Sequence, residues 1–216
     1  FVNVTVNSGL KNYDYGIGCA IADYNNDGFD DIFVTNFCND ILYKNLQNGK
    51  FQDVTNKSGI KNNLWSSSVT FFDYDKDGDI DLFVGGRVVP GSYPLPAESK
   101  LLINESNANQ VKFVNADSSI FPFSDIGLVS SSVWTDYNND NWDDLIVVGE
   151  WMPISIWINE SGTFVNRTKE YGLESTTGLW NSLLVEDFNL DGRSDMIAGN
   201  MGINTFFQPG TKLYLN

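Results

Sequence analysis

DYNNDGFDD at residues 23–31, with the apolar run IFVT directly after it, returns as DYDKDGDID at 73–81, DYNNDNWDD at 136–144 and DFNLDGRSD at 187–195. The steps between these segments are 50, 63 and 51 residues. A second marker keeps the same period. Phe1, Phe51, Phe113 and Phe164 open FVNVTVNSGL, FQDVTNKSGI, FVNADSSIFP and FVNRTKEYGL, in steps of 50, 62 and 51. Two separate markers on one period make a repeat of about 50 residues the organising feature of the chain.

Within each repeat the apolar residues come in short runs bounded by turn formers, a strand pattern and not a helical one. One strand enters the Asp-rich loop (19–22, 69–72, 133–135, 183–186) and a second leaves it (32–35, 82–85, 145–148, 196–199). A third reads ILYKN from Ile41, KLLIN from Lys100, ISIWIN from Ile154 and KLYLN from Lys212, and the fourth starts at the marker Phe. Continuous apolar second strands suit burial between neighbouring sheets, whereas alternating third and fourth strands suit an outer, half-solvated place. The reading is an all-β chain, residues 1–216 forming a β-propeller segment of four-stranded antiparallel blades. A fourth strand at Phe1–Val6 and a third at the end are complementary, so the units can close a small ring. Membership of a larger ring is the favoured expectation. The longer step before the third loop falls in RVVPGSYPLPAES, residues 87–99, whose three prolines predict an ordered loop.

Composition narrows function. Lys and Arg number 13 against 28 Asp and Glu, a net charge of -15 that repels nucleic-acid phosphates and anionic membranes. No histidine occurs, which removes Ser-His-Asp and Cys-His nucleophile systems and His-based zinc sites. Apolar stretches such as 145–149 are too short to insert in a membrane. The chain opens at Phe1 without methionine, which leaves room for a leader or a larger N-terminal region. Cys19 and Cys38 are too few for a disulfide framework and read as two small buried thiols in preference to a pair. Asn-x-Ser/Thr sequons stand at Asn3, Asn56, Asn104, Asn159 and Asn166, and matter only in a eukaryotic secretory pathway.

The Asp loops carry the chemistry. A hard divalent cation such as Ca2+ takes six to eight oxygens at about 2.3–2.6 Å, and a tight loop with oxygen ligands at alternate positions supplies them. Positions 1, 3, 5 and 9, with the backbone carbonyl of position 7, give Asp23, Asn25, Asp27, Asp31 and Phe29; then Asp73, Asp75, Asp77, Asp81 and Asp79. The third and fourth sets are Asp136, Asn138, Asp140, Asp144 and Trp142, and Asp187, Asn189, Asp191, Asp195 and Arg193. Glycine at position 6 in three loops, and Asn141 in the other, suits a turn with positive φ. Asn141 marks the third loop as the weakest. The loops hold 16 of the 28 acidic residues, so four Ca2+, one per loop, are expected to be part of the fold.

The motif Asp-x-Asx-x-Asp-Gly-x-x-Asp followed by an apolar strand, as in DYDKDGDIDLFVGG, resembles the FG-GAP and VCBS repeats of integrin α-like propellers. DYNNDGFDDIFVTN with FQDVTNKSGI is similar to secreted proteins of the ASPIC and UnbV type, and LIVVGEWMP with WNSLLVEDFNLDGRSDMIAGNMGIN to surface proteins of the Bacteroidetes group. The resemblance implies a seven- or eight-bladed extracellular propeller with structural calcium.

In a propeller the calcium loops share one face. The other face gathers 36–40, 87–99, 149–153 and 200–211 with Tyr13–Tyr15, Trp65, Phe121–Phe123 and Trp180. Trp65, Arg87, Trp151 and Trp180 are its candidate ligand contacts, for an extracellular protein or a glycan. Two functional readings stand: a non-catalytic adhesion or scaffold module, and a carbohydrate-active enzyme of the polysaccharide-lyase kind or a glycan-binding propeller. The lack of histidine weighs against catalysis. Calcium loops in number are best served outside the cytoplasm, which predicts an extracellular, cell-surface or periplasmic protein.

Overall fold

The computed structural model describes residues 1–11, 14–61, 64–107, 110–122 and 126–201. A one-turn helix, α1 (Thr5–Ser8), precedes β1 (Gly16–Ala22), β2 (Asp31–Asn36), β3 (Ile41–Asn45) and β4 (Phe51–Asp53). A second, α2 (Thr55–Ser58), leads into β5 (Trp65–Phe72), β6 (Asp81–Val88), β7 (Lys100–Asn104) and β8 (Phe113–Asn115). Then come β9 (Leu128–Thr135), β10 (Asp144–Met152), β11 (Ser155–Asn159) and β12 (Phe164–Asn166), and finally β13 (Gly178–Glu186) and β14 (Asp195–Asn200).

Each unit is an antiparallel meander in sequence order, β1-β2-β3-β4, β5-β6-β7-β8 and β9-β10-β11-β12, with β13 and β14 paired beyond them. The all-β, four-stranded blades read from the sequence are therefore present. The third strand expected from Lys212 lies outside the described residues.

The first strands β1, β5, β9 and β13 neighbour one another in chain order. Strands that converge must carry small side chains, and here they do: WSSSVTFF and LVSSSVWT face each other through hydroxyls. Ser68 and Ser132 share a hydrogen bond of 2.7 Å, Ser67 donates to the Val129 carbonyl, and Ser130 donates to the Trp180 carbonyl at 2.7 Å. Large apolar residues fill the diverging space between blades in three clusters. Phe33, Leu42, Val69 and Leu82 belong to the first, Phe83, Phe121, Leu145 and Phe164 to the second, and Ile146, Ile156 and Leu183 to the third. Burying a side chain of this size contributes about 1.5–3 kcal/mol, so the gaps between sheets form the core.

Three expectations are corrected. The third strands β3, β7 and β11 are mostly buried and do not alternate, because β7 and β11 lie between neighbouring blades, while β3 packs on the second blade with Leu42 and its Tyr43 hydroxyl donates to the Lys11 carbonyl; the short β4, β8 and β12 are half solvated. Phe1–Val6 is not a strand. Residues 1–4 lack regular structure, Thr5–Ser8 is helical and Phe1 is exposed, whereas its equivalents in later repeats, β4 and β12, are each held by a third strand alongside. Among the described residues no third strand lies beside it, and the one expected from Lys212 falls outside them. The thiols are free but not buried: Cys19 is exposed on β1 and Cys38 half-buried.

Candidate metal centres

All four Asp loops fold alike. The position-1 carboxylate accepts from the position-6 amide: Asp23 from Gly28 at 2.7 Å, Asp73 from Gly78 at 3.0 Å, Asp136 from Asn141 at 2.8 Å and Asp187 from Gly192 at 2.8 Å. The position-5 carboxylate accepts from the position-7 amide, as Asp27 from Phe29, Asp77 from Asp79, Asp140 from Trp142 and Asp191 from Arg193. Position 6 has positive φ throughout, +85° at Gly28, +93° at Gly78, +69° at Asn141 and +82° at Gly192. Asn141 thus adopts the turn that glycine adopts elsewhere, at the steric cost of a β-carbon in the left-handed region. Position 4 is left-handed too, at Asn26, Lys76, Asn139 and Leu190, which the spacing did not reveal.

Loop two gathers the most negative charge. Asp73, Asp75 and Asp81 each offer an oxygen within 4.8 Å of the others. Asp73 Oδ1 is buried with no hydrogen-bond partner, an arrangement that a cation relieves. Burial raises the Asp81 carboxyl to about 7, against backbone donors, and burial then Asp77 raises that of Asp75. The difference from loops one and three lies at position 3. Asn25 donates its amide to Asp31 at 2.7 Å and Asn138 to Asp140 at 2.8 Å, softening the repulsion that Asp75 cannot. Asn189 also accepts from a backbone amide, that of Asp191, at 2.8 Å. Donor chemistry and crowding in loop two fit a hard oxygen-loving cation. In loop one Lys44 on β3 reaches Asp27 at 3.3 Å and supplies part of the countercharge.

The position-9 carboxylates do a second task. Asp31, Asp81 and Asp144 are buried and clasp the end of the third strand, accepting from Asn45 at 2.7 Å, Asn104 at 2.8 Å and Asn159 at 2.8 Å. Those asparagines were not singled out by loop spacing. Their signal is the recurring Asn that closes ILYKN, KLLIN, SIWIN and KLYLN. Asn104 reaches the Tyr24 carbonyl of the preceding loop at 2.7 Å, and Asn159 that of Tyr74 at 2.8 Å. Both are buried within these bonds, so their sequons are structural in the folded chain. Adjacent loops also touch directly: Asn26 donates to Asp79 at 3.1 Å, while Lys76 donates to the Asn141 carbonyl and lies 4.3 Å from the Trp142 ring.

The opposite face brings three of the four proposed ligand residues together. Arg87 pairs with Glu150 and lies 5.5 Å from the Trp65 ring, while Trp151 donates to the Tyr93 hydroxyl. Trp180 is placed differently. Its indole donates to the Thr176 carbonyl at 3.0 Å and its ring packs on the third interblade cluster, the gap-filling role of a large aromatic. Tyr13 and Phe123 lie outside the described residues.

The FG-GAP-like repeat family model matches residues 11–84 and 136–198, more than half of the chain. No curated protein matches it. Among solved structures, a similar chain is a lectin of Agrocybe aegerita described by its specific recognition of non-reducing terminal N-acetylglucosamine. Identity is 17%, the TM-score 0.51, and the match covers 88% of this chain and 48% of that one. The likeness is one of fold, and the chain spans about half the length of that structure. No helix among the described residues is long and apolar enough to cross a membrane.

Proposed function

Because the chain belongs to the FG-GAP-like repeat family, we propose that it is a calcium-stabilised, extracellular, non-catalytic binding propeller. The observation that carries this reading is the convergence of Asp73, Asp75 and Asp81 around a buried, unpartnered carboxylate oxygen. Calcium there would be held by Asp73, Asp75, Asp77 and Asp81 with the Asp79 carbonyl, and the equivalent residues would hold it in the other three loops. It would supply countercharge that lets each loop close. Its contribution is to the fold and not to a reaction, and the ligand of the module, glycan or protein, sits on the face opposite the loops. Exposed Ile17 and Ile21 on β1, with Leu184 on β13 and Ile197 on β14, resemble the side chains that fill gaps between blades and support a ring larger than these units.

Melting the full chain with chelator and with millimolar calcium tests the metal. A ligand at 100 times its Kd adds about 2.7 kcal/mol to stability, which is a rise of several degrees. A melting curve indifferent to calcium rejects the reading. Fractionation of the source cells tests the compartment, and recovery of the product from the cytosol alone counts against export.

A further inference from the structure

We propose that Trp65, Arg87, Tyr93, Glu150 and Trp151 form a binding site for a neutral, hydroxyl-rich sugar on the face opposite the Asp loops. The inference rests on the reading of the chain as a binding module and names the ligand class of that face.

The site is built where the repeats differ. Residues 89–99 join β6 to β7, whereas 37–40 and 153–154 suffice in the neighbouring blades. This longer connection is docked onto the sheet. Gly86 donates to Ser99 Oγ at 3.0 Å, Val89 to the Leu95 carbonyl at 2.9 Å, and a β-carbon on Gly86 would lie 2.4 Å from the Ala97 oxygen. Tyr93, 57% exposed, stands at the tip of the loop.

A chain of polar contacts runs through the cluster. Trp151 donates its indole N–H to the Tyr93 hydroxyl, which lies 3.3 Å from Glu150 Oε2, and Glu150 Oε1 takes the Arg87 guanidinium. The Trp65 ring backs that guanidinium at 5.5 Å. Side chains of Arg87 and Glu150 remain 27% and 17% exposed, so the pair is fixed yet reachable. Trp151 itself is held at φ +59° where the pairing of β10 with β13 slips between Glu150 and Met152. A bulky residue in the left-handed region is strained, and such strain collects at ligand sites.

This set matches one chemistry. A pyranose offers an apolar C–H face to an aromatic ring and, at its edge, hydroxyls that both donate and accept. Tyr93 supplies the ring, Arg87 the remaining N–H donors and Glu150 the acceptor. The ion pair has no net charge, and a chain of net charge -15 repels uronates and sulfated sugars, which leaves neutral sugars as the favoured class.

The test is an array of neutral, uronate-bearing and sulfated oligosaccharides probed with the full chain in millimolar calcium, followed by titration of the best neutral binder. Binding to neutral sugars is expected, weakened at least tenfold by Tyr93→Ala and by Glu150→Gln with the melting temperature of Tyr93→Ala unchanged, and unaffected by Lys112→Ala. Should Glu150→Gln fail to fold, Tyr93→Ala at the exposed loop tip decides alone. Binding indifferent to Tyr93→Ala overturns the site, and binding confined to acidic sugars overturns the ligand class. A chain that calcium stabilises but that binds no sugar overturns this inference and leaves the calcium reading standing. The converse pattern, sugar binding lost in these variants without any calcium effect on melting, separates the two in the other direction.

Discussion

Asn104 on β7 donates its side-chain amide to the Tyr24 carbonyl at 2.7 Å, spanning 80 residues of sequence and the boundary between two blades. The same amide reaches the Ile80 carbonyl at 2.9 Å while the Asn104 backbone N–H is taken by Asp81. Truncation leaves two loop carbonyls without donors in a buried place, at a cost of about 1–3 kcal/mol. Asn104→Ala is expected to lower the urea midpoint with little change in slope, as is Asn159→Ala. A neutral outcome for both would mean that water replaces the amide.

Loop one differs from its neighbours by the Lys44–Asp27 pair, which competes with a cation for the position-5 carboxylate. A partly exposed pair is worth about 0–1 kcal/mol. Lys44→Gln is therefore expected to tighten calcium binding at that loop by up to about fivefold, read by calorimetric titration. Looser binding would show that Lys44 orders the loop.

Protonation sets a pH dependence whose sign depends on metal. Burial raises the Asp31 and Asp144 carboxyls to about 6 and Asp81 to about 7, with backbone donors opposing it. A carboxyl whose folded pKa exceeds its unfolded value stabilises most below the unfolded value, and that stability is lost as pH rises through 6 to 7. In chelator the chain is expected to melt higher at pH 5 than at pH 7.5. Calcium binds the ionised form, so at millimolar calcium the order reverses. Scanning calorimetry at the two pH values, with and without calcium, reads all four conditions.

Phe83 is fully buried between the second and third blades, with Phe121 at 5.8 Å and Trp134 at 6.1 Å between ring centroids. Phe83→Ala is expected to cost about 3–5 kcal/mol in denaturant unfolding, and Phe83→Leu much less.

Gly86 gives a way to move the long connection without touching the sugar contacts. Gly86→Ala places a β-carbon against the Ala97 and Glu98 carbonyls at 2.4 and 2.5 Å, so the loop must shift. Weaker binding of a neutral sugar is expected, with circular dichroism unchanged.

Much of this architecture was legible because each blade writes its own strands and turn: the run of small and apolar residues before Asp73 and the apolar run after Asp81 need no distant partner to be recognised. The convergence of Asp73, Asp75 and Asp81 followed from alternate spacing in one loop. What escaped was pairwise and distant. Asn104 carries no chemistry within KLLIN and acquires its role from a carbonyl in another blade, and Arg87 meets Glu150 across a separation of 63 residues only once the chain folds. Phe1–Val6 misled because its end, from Thr5, enters a one-turn helix that closes on Gly9 at positive φ, the same turn that follows β4 at Thr55–Ser58.

Each asparagine staple reaches back over one blade boundary and no further. Duplication or loss of a whole repeat therefore leaves every remaining staple a donor and an acceptor in the right place, whereas a deletion ending inside a repeat strands one of them. Copy number is thus expected to be editable in whole units, with an insertion or removal that respects the repeat period tolerated better than one that ends inside a blade.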